Sequence, residues 1–130
     1  MELHDFAQLS NLLARFATLA DTGSLQEIES LLAVDIVWQM GMTTLRGREN
    51  VIAALGQIRE AGQAGPGTGT RHVVSNLQID LDGEERARAH SYFLFITVGN
   101  TPVVSLFGEY RDTLRKENGQ WIIASRVVIT

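Results

Sequence analysis

Apolar residues recur at spacings of three and four from Asp5 to Ala20, where Phe6, Leu9, Leu13, Phe16 and Ala20 fall on one side of a helix. Asp21-Thr22-Gly23 ends that helix. Ser24-Leu25-Gln26-Glu27 then fits a capping box, with Ser24 as N-cap and Glu27 three residues later, so a second helix is expected from Leu25 to about Leu32. Asp35 to Met40 is β-branched and aromatic and reads as a short strand, followed through Gly41 by a shorter one at Thr43-Thr44-Leu45. A third helix opens at Arg46-Gly47-Arg48-Glu49-Asn50, carries Val51, Leu55 and Ile58 at helical spacing, and ends near Ala61-Gly62. The run from Gly62 to Gly69 is too rich in Gly and Pro for helix or strand and is expected to be a loop beside a pocket.

From Thr70 the period changes from helical to alternating. Strands are expected over Thr70–Asp80, Glu84–Val98, Val103–Arg115 and Gln120–Thr130, separated by Asp82-Gly83, Gly99-Asn100-Thr101-Pro102 and Asn118-Gly119. A fifteen-residue strand would extend roughly 50 Å, whereas a domain of this length is about 36 Å across, so the strands must bend. The expected fold is an α+β cone-shaped barrel, with three N-terminal helices packed in the concave face of a strongly curved antiparallel sheet, and residues 1–130 forming a single domain. Along Glu84–Val98 one face carries Arg88, His90, Tyr92, Leu94 and Ile96, and the other Ala87, Ala89, Ser91, Phe93 and Phe95. The first is read as the inner face, together with Tyr110. Both are apolar in the middle, so the outer one is expected to pack on another copy, as a homodimer or a trimer.

Composition narrows the chemistry. Eleven basic and fifteen acidic residues give a net charge of −4, without a dense basic cluster, which argues against nucleic acid and anionic membranes as partners. There is no cysteine, hence no disulfide, thiolate zinc site or cysteine nucleophile. The start lacks the features of a secretory signal, and a cytoplasmic protein is expected. His4, His72 and His90 are dispersed, with no metal-binding spacing, and no serine sits in a nucleophile elbow; no metal or cofactor is expected. Asp21 stands out, because a carboxylate at a helix C-terminus opposes the helix dipole and Ser24 already caps the next helix. It is either solvated in the turn or paired with a group elsewhere. Phe16, Trp38, Met40 and Met42 either line an apolar cavity or fill the core, and Trp121 reads as core.

Phe16-Ala17-Thr18-Leu19-Ala20-Asp21, Leu45-Arg46-Gly47-Arg48-Glu49-Asn50, Arg71-His72-Val73-Val74-Ser75-Asn76 and Gly119-Gln120-Trp121, in this order along the chain, resemble the layout of the SnoaL-like, nuclear-transport-factor-2-like superfamily. The scytalone-dehydratase-like and bile-acid-dehydratase-like branch is most similar. Its enzymes carry an Asp at the end of helix one and a His at the start of the first long strand, which Asp21 and His72 match. The resemblance implies a cofactor-independent lyase (dehydratase) or isomerase acting on a small hydrophobic carbonyl-bearing molecule, such as a polyketide, steroid, terpenoid or aromatic compound, with the pair as general acid and base. It also implies pocket tyrosines, yet Ala20 and the neighbourhood of Met40 occupy those positions. Tyr92 or Tyr110 is expected to replace them as donor to an oxyanion, and His90 is a candidate second acid or base. The alternative is a non-catalytic ligand-binding or accessory subunit of the same fold.

Overall fold

A computed structural model describes residues 2–130. Its elements are α1 (Glu2–Thr22), α2 (Leu25–Glu29), β1 (Leu32–Met40), β2 (Thr43–Arg46), α3 (Arg48–Glu60), β3 (Arg71–Leu81), β4 (Arg86–Val98), β5 (Pro102–Glu117) and β6 (Gln120–Ile129). Leu9, Leu12, Leu13 and Phe16 bury one face of α1, whereas Phe6, one turn earlier, stays at the surface. The capping box forms as the sequence predicts, the Ser24 hydroxyl accepting from the Glu27 amide while the Glu27 carboxylate accepts from the Ser24 amide. Helix α2 is shorter than expected. It stops at Glu29 because Leu32 and Ala33 enter the sheet, where both are fully buried.

The six strands run in the order β2-β1-β6-β5-β4-β3. The four-strand meander β3 to β6 is antiparallel throughout, as its turns imply. At its last turn Asn118 and Gly119 both take positive φ, the geometry a two-residue hairpin requires. The sheet as a whole is mixed and not closed: β1 joins β6 in parallel and leaves β2 as an edge. Hairpin rules are local and could not reveal this long-range pairing. The bending demanded by strand length occurs at register shifts between Ser75 and Gln78, Phe95 and Ile96, and Thr113 and Leu114.

The expected strand faces are reversed. Ala87, Ala89, Ser91 and Phe93 point inward and are buried, while Tyr92 and Leu94 lie outside. The parity follows from pairing, since Tyr110 is buried and lies opposite Ser91, so Tyr92 cannot share its face. Successive inner rows across the sheet read Trp38–Arg126–Asp112–Ala89 and Met40–Val128–Tyr110–Ser91; nearer the open end His72 pairs with Phe95, which pairs with Leu106. Helix α1 lies in this concavity. Its N-terminal end is tied down by Asp5, which accepts from the Trp121 indole at 3.1 Å and Lys116 at 3.0 Å, contacts that lower the Asp5 pKa. No described helix is long and apolar enough to cross a membrane.

Candidate active site

The C-terminal end of α1 and the beginning of β3 meet through Asp21. Its side chain is 5% exposed and receives the His72 backbone N–H at 3.1 Å from each carboxylate oxygen. The same carboxylate lies 2.8 Å from His72 Nδ1. An ionised carboxylate only accepts, so this contact makes Nδ1 the donor and leaves Nε2 as the ring's lone-pair nitrogen. Among the described residues Nε2 has no hydrogen-bond partner, and the ring lines a cavity between helices and sheet. Phe95, at 4.8 Å between ring centroids, and Phe93, at 6.5 Å, wall the imidazole in.

The objection to a carboxylate at a helix C-terminus is met locally. Arg59 of α3 donates to the carbonyls of Gly23 (2.7 Å), Leu19 (3.0 Å) and Ala20 (3.4 Å), supplying positive charge and satisfying unpaired carbonyls at that helix end. Its stem also packs on Gly65, where a Cβ would come within 2.8 Å, and Gly65 has a φ of +102°. The glycine-rich loop is thereby held against the cavity wall, which includes Gln63, Ala64 and Gly65.

The cavity measures about 320 Å³ and is lined largely by apolar side chains, among them Phe16, Trp38, Met40, Phe93 and Leu106. Phe16, Trp38, Met40, His72 and Tyr110 all line this cavity. His90 and Tyr92 do not: they lie on the opposite face, where His90 pairs with Glu109 and Tyr92 is 47% exposed. Met42 is at the surface beside the β1–β2 turn. Ala20 lines the cavity where the resemblance implied a tyrosine, and Met40 lines it where the second was expected.

Tyr110 supplies a phenol in their stead. It is 6% exposed, lines the cavity, and its hydroxyl has no hydrogen-bond partner among the described residues. Burial pushes its pKa up to about 12, against a smaller lowering by the nearby Arg126 charge. Its ring stacks on Phe93 at 4.3 Å with an interplanar angle of 10°. Behind it, Arg126 makes a bidentate pair with Asp112, at 2.7 Å from Nε and 3.0 Å from Nη2, and all of it is buried. Burial works against the arginine's charge, but the Asp112 carboxylate and its hydrogen bonds outweigh this and raise the Arg126 pKa. Asp112 and Arg126 carry no motif that marks them in the sequence. The signal was parity, because Asp112 is two residues from Tyr110 and Arg126 two from Val128. Among the described residues no cluster of His, Cys, Asp or Glu is arranged to hold a metal ion.

A six-stranded sheet curved around α1, with a carboxylate-oriented imidazole lining an apolar cavity, is an α+β cone of the cystatin-like, NTF2-like kind. The chain belongs to the SnoaL-like domain family, whose model matches residues 1–127. It is 23% identical to an NTF2-like protein with a cystatin-like fold from Novosphingobium aromaticivorans, with a TM-score of 0.85, covering 97% of this chain and 81% of the other. It is 25% identical to a protein from the same organism provisionally named scytalone dehydratase, with a TM-score of 0.82 and coverage of 98% and 84%. A Catenulispora acidiphila structure in complex with S-DNPA is also 25% identical, with a TM-score of 0.80 and coverage of 97% and 92%. No curated protein matches the chain.

Proposed function

We infer that the protein is a cofactor-independent dehydratase or isomerase of a small flat hydrophobic ketone. The observation that carries this reading is the His72 ring, with Nδ1 committed to buried Asp21 and Nε2 unpartnered against the cavity. In the dehydration of a β-hydroxy ketone, Nε2 removes the proton beside the carbonyl. The C–H electron pair moves into an enolate, whose oxygen is held by the Tyr110 hydroxyl. Collapse of the enolate forms the carbon–carbon double bond and expels the β-hydroxyl, which takes the proton back from Nε2 and leaves as water. Asp21 orients the ring and stabilises its charged form without touching substrate. An isomerase would return the same proton to another carbon. The 25% identical structure provisionally named scytalone dehydratase and the S-DNPA complex support a lyase and a small-molecule ligand respectively.

The test is proton–deuterium exchange. Incubated in D₂O with 2-tetralone, the native protein is expected to speed exchange beside the carbonyl, read by ¹H NMR, and His72→Ala is expected to lose that acceleration. Exchange no faster than buffer, across a panel of bicyclic ketones, would sink the proton-transfer reading. The presence of Ala20 and Met40 at the implied tyrosine positions favours a second reading, a binding or accessory subunit that holds a ligand without turning it over.

The outer sheet face is apolar, with Val73, Leu94 and Phe107 in one row and Phe107 72% exposed. We assign it to self-association, most simply a two-fold dimer with a trimer as the alternative. Sedimentation equilibrium of native protein and Phe107→Lys tests this; an identical monomer mass for both would refute it.

A further inference from the structure

Arg126 and Asp112 are buried charges, costly to take out of water, and the proton-transfer scheme does not use them. Both lie in the inner row with Trp38 and Ala89. A buried ion pair gives little net stability over apolar residues of similar size, so its presence calls for another reason. The guanidinium supplies one. Its carbon lies 3.8 Å from the Tyr110 ring centroid, 4.9 Å from that of Phe16 and 5.7 Å from that of Trp38. Phe93 stacks on the same ring, so the phenol contacts both an aromatic ring and a cation; Tyr110 lines the cavity, and its hydroxyl has no hydrogen-bond partner among the described residues.

We propose that Arg126, clamped by Asp112, is the positioning residue of an oxygen-binding end of the cavity, holding the Tyr110 hydroxyl as a donor and selecting flat phenols and enolisable ketones that enter oxygen first. A cation over the ring strengthens the phenol as a donor and favours negative charge on the oxygen it contacts. The bidentate carboxylate keeps the guanidinium flat, which a lysine ammonium could not match. Phe93 neighbours both rings, with its centroid 4.3 Å from that of Tyr110 and 6.5 Å from that of His72. A ligand lying along Phe93 would thus place its oxygen at Tyr110 and its exchangeable C–H towards His72. This assignment rests on the same cavity as the dehydratase reading, but it concerns binding and stands or falls without turnover.

The test is calorimetric titration with a series of fluorinated phenols of similar size and graded acidity, with toluene as the shape control. The native protein is expected to bind the most acidic phenol about tenfold more tightly than the least acidic, and toluene more weakly than any. Arg126→Met combined with Asp112→Leu removes both charges, so the fold survives, and the dependence on acidity is expected to flatten. Tyr110→Phe is expected to flatten it as well. A second readout is the Tyr110 ¹³Cζ resonance, whose alkaline midpoint should move upward in the double variant, because the lowering by Arg126 outweighs the raising by Asp112 and both are lost. A folded double variant with the native dependence, or native protein that binds toluene as well as phenols, would overturn the assignment. If the dependence holds while ketone exchange is absent, the proton-transfer reading fails and this one survives.

Discussion

Two histidine–carboxylate pairs occupy opposite faces of one sheet; the His72 imidazole lines the apolar cavity between helices and sheet, whereas on the outer face it is Glu109, not the His90 ring, that borders a hollow. His72 meets Asp21 at 2.8 Å and His90 meets Glu109 at 2.5 Å. Contact distance does not distinguish them; surroundings do. The His90 and Glu109 side chains are each about one-third exposed, so water competes for every hydrogen bond they make and screens their charge. Asp21 is buried, and its two oxygens are engaged by a backbone N–H as well as by the ring, so the carboxylate cannot turn away. The His72 ring borders an apolar cavity, whereas His90 lies on the outer face with its side chain about one-third exposed in the single chain. An acid–base pair becomes a site when one member is immobilised and the other faces a space that excludes water.

Substitutions should separate the pairs. The largest effect is expected for His72→Ala, a loss of roughly 10²–10⁴ in ketone exchange rate, the usual contribution of a general base; His90→Ala should stay within a few-fold in the same NMR assay. Asp21→Asn comes next. It is expected to approach the His72→Ala rate and to cost about 1–3 kcal/mol in urea unfolding, because a buried acceptor of several hydrogen bonds is altered. Glu109→Gln is expected to change stability by less than about 1 kcal/mol.

What the chain's pattern revealed follows the range of the forces involved. The capping box at Ser24, the α1 stripe and the hairpin at Asn118-Gly119 depend on neighbours in sequence, and each formed where expected. The parallel docking of β1 on β6 joins residues about ninety apart and left no local mark. The inner and outer faces of β4 were exchanged because both are apolar in the middle, so hydrophobicity could not rank them. Pairing could have, since Tyr110 opposes Ser91 and excludes Tyr92. Asp21 was legible as an anomaly, and the resemblance named its partner. Arg126 and Asp112 were not, because charged residues on strands ordinarily face water.

Two smaller effects sharpen the contrast between the faces. Burial holds the Tyr110 phenol protonated in the native state, raising its pKa from 10.0 to about 12. A proton bound more tightly when folded adds stability that is complete below about pH 10 and is lost as pH rises towards about 12. That loss is expected to be about 2–3 kcal/mol, seen as a fall in unfolding free energy that Tyr110→Phe abolishes. Gly108→Ala tests the inner wall: a methyl there would collide with the Ile129 carbonyl and the Phe93 ring. It should cost about 1–3 kcal/mol, whereas Gly99→Ala, which meets nothing within 4 Å, should be close to neutral.

The central claim is that Asp21 fixes the His72 tautomer. Long-range ¹H–¹⁵N correlation spectra of histidine-labelled protein, recorded at mildly alkaline pH where imidazole is ordinarily neutral, read each ring nitrogen directly. In native protein His72 should show a protonated Nδ1 and a bare Nε2. In Asp21→Asn, where the amide can donate to Nδ1, the proton should move to Nε2, as carboxylate-to-amide exchange does in other oriented histidines. A native ring protonated at Nε2, or an Asp21→Asn ring unchanged from native, would contradict the account.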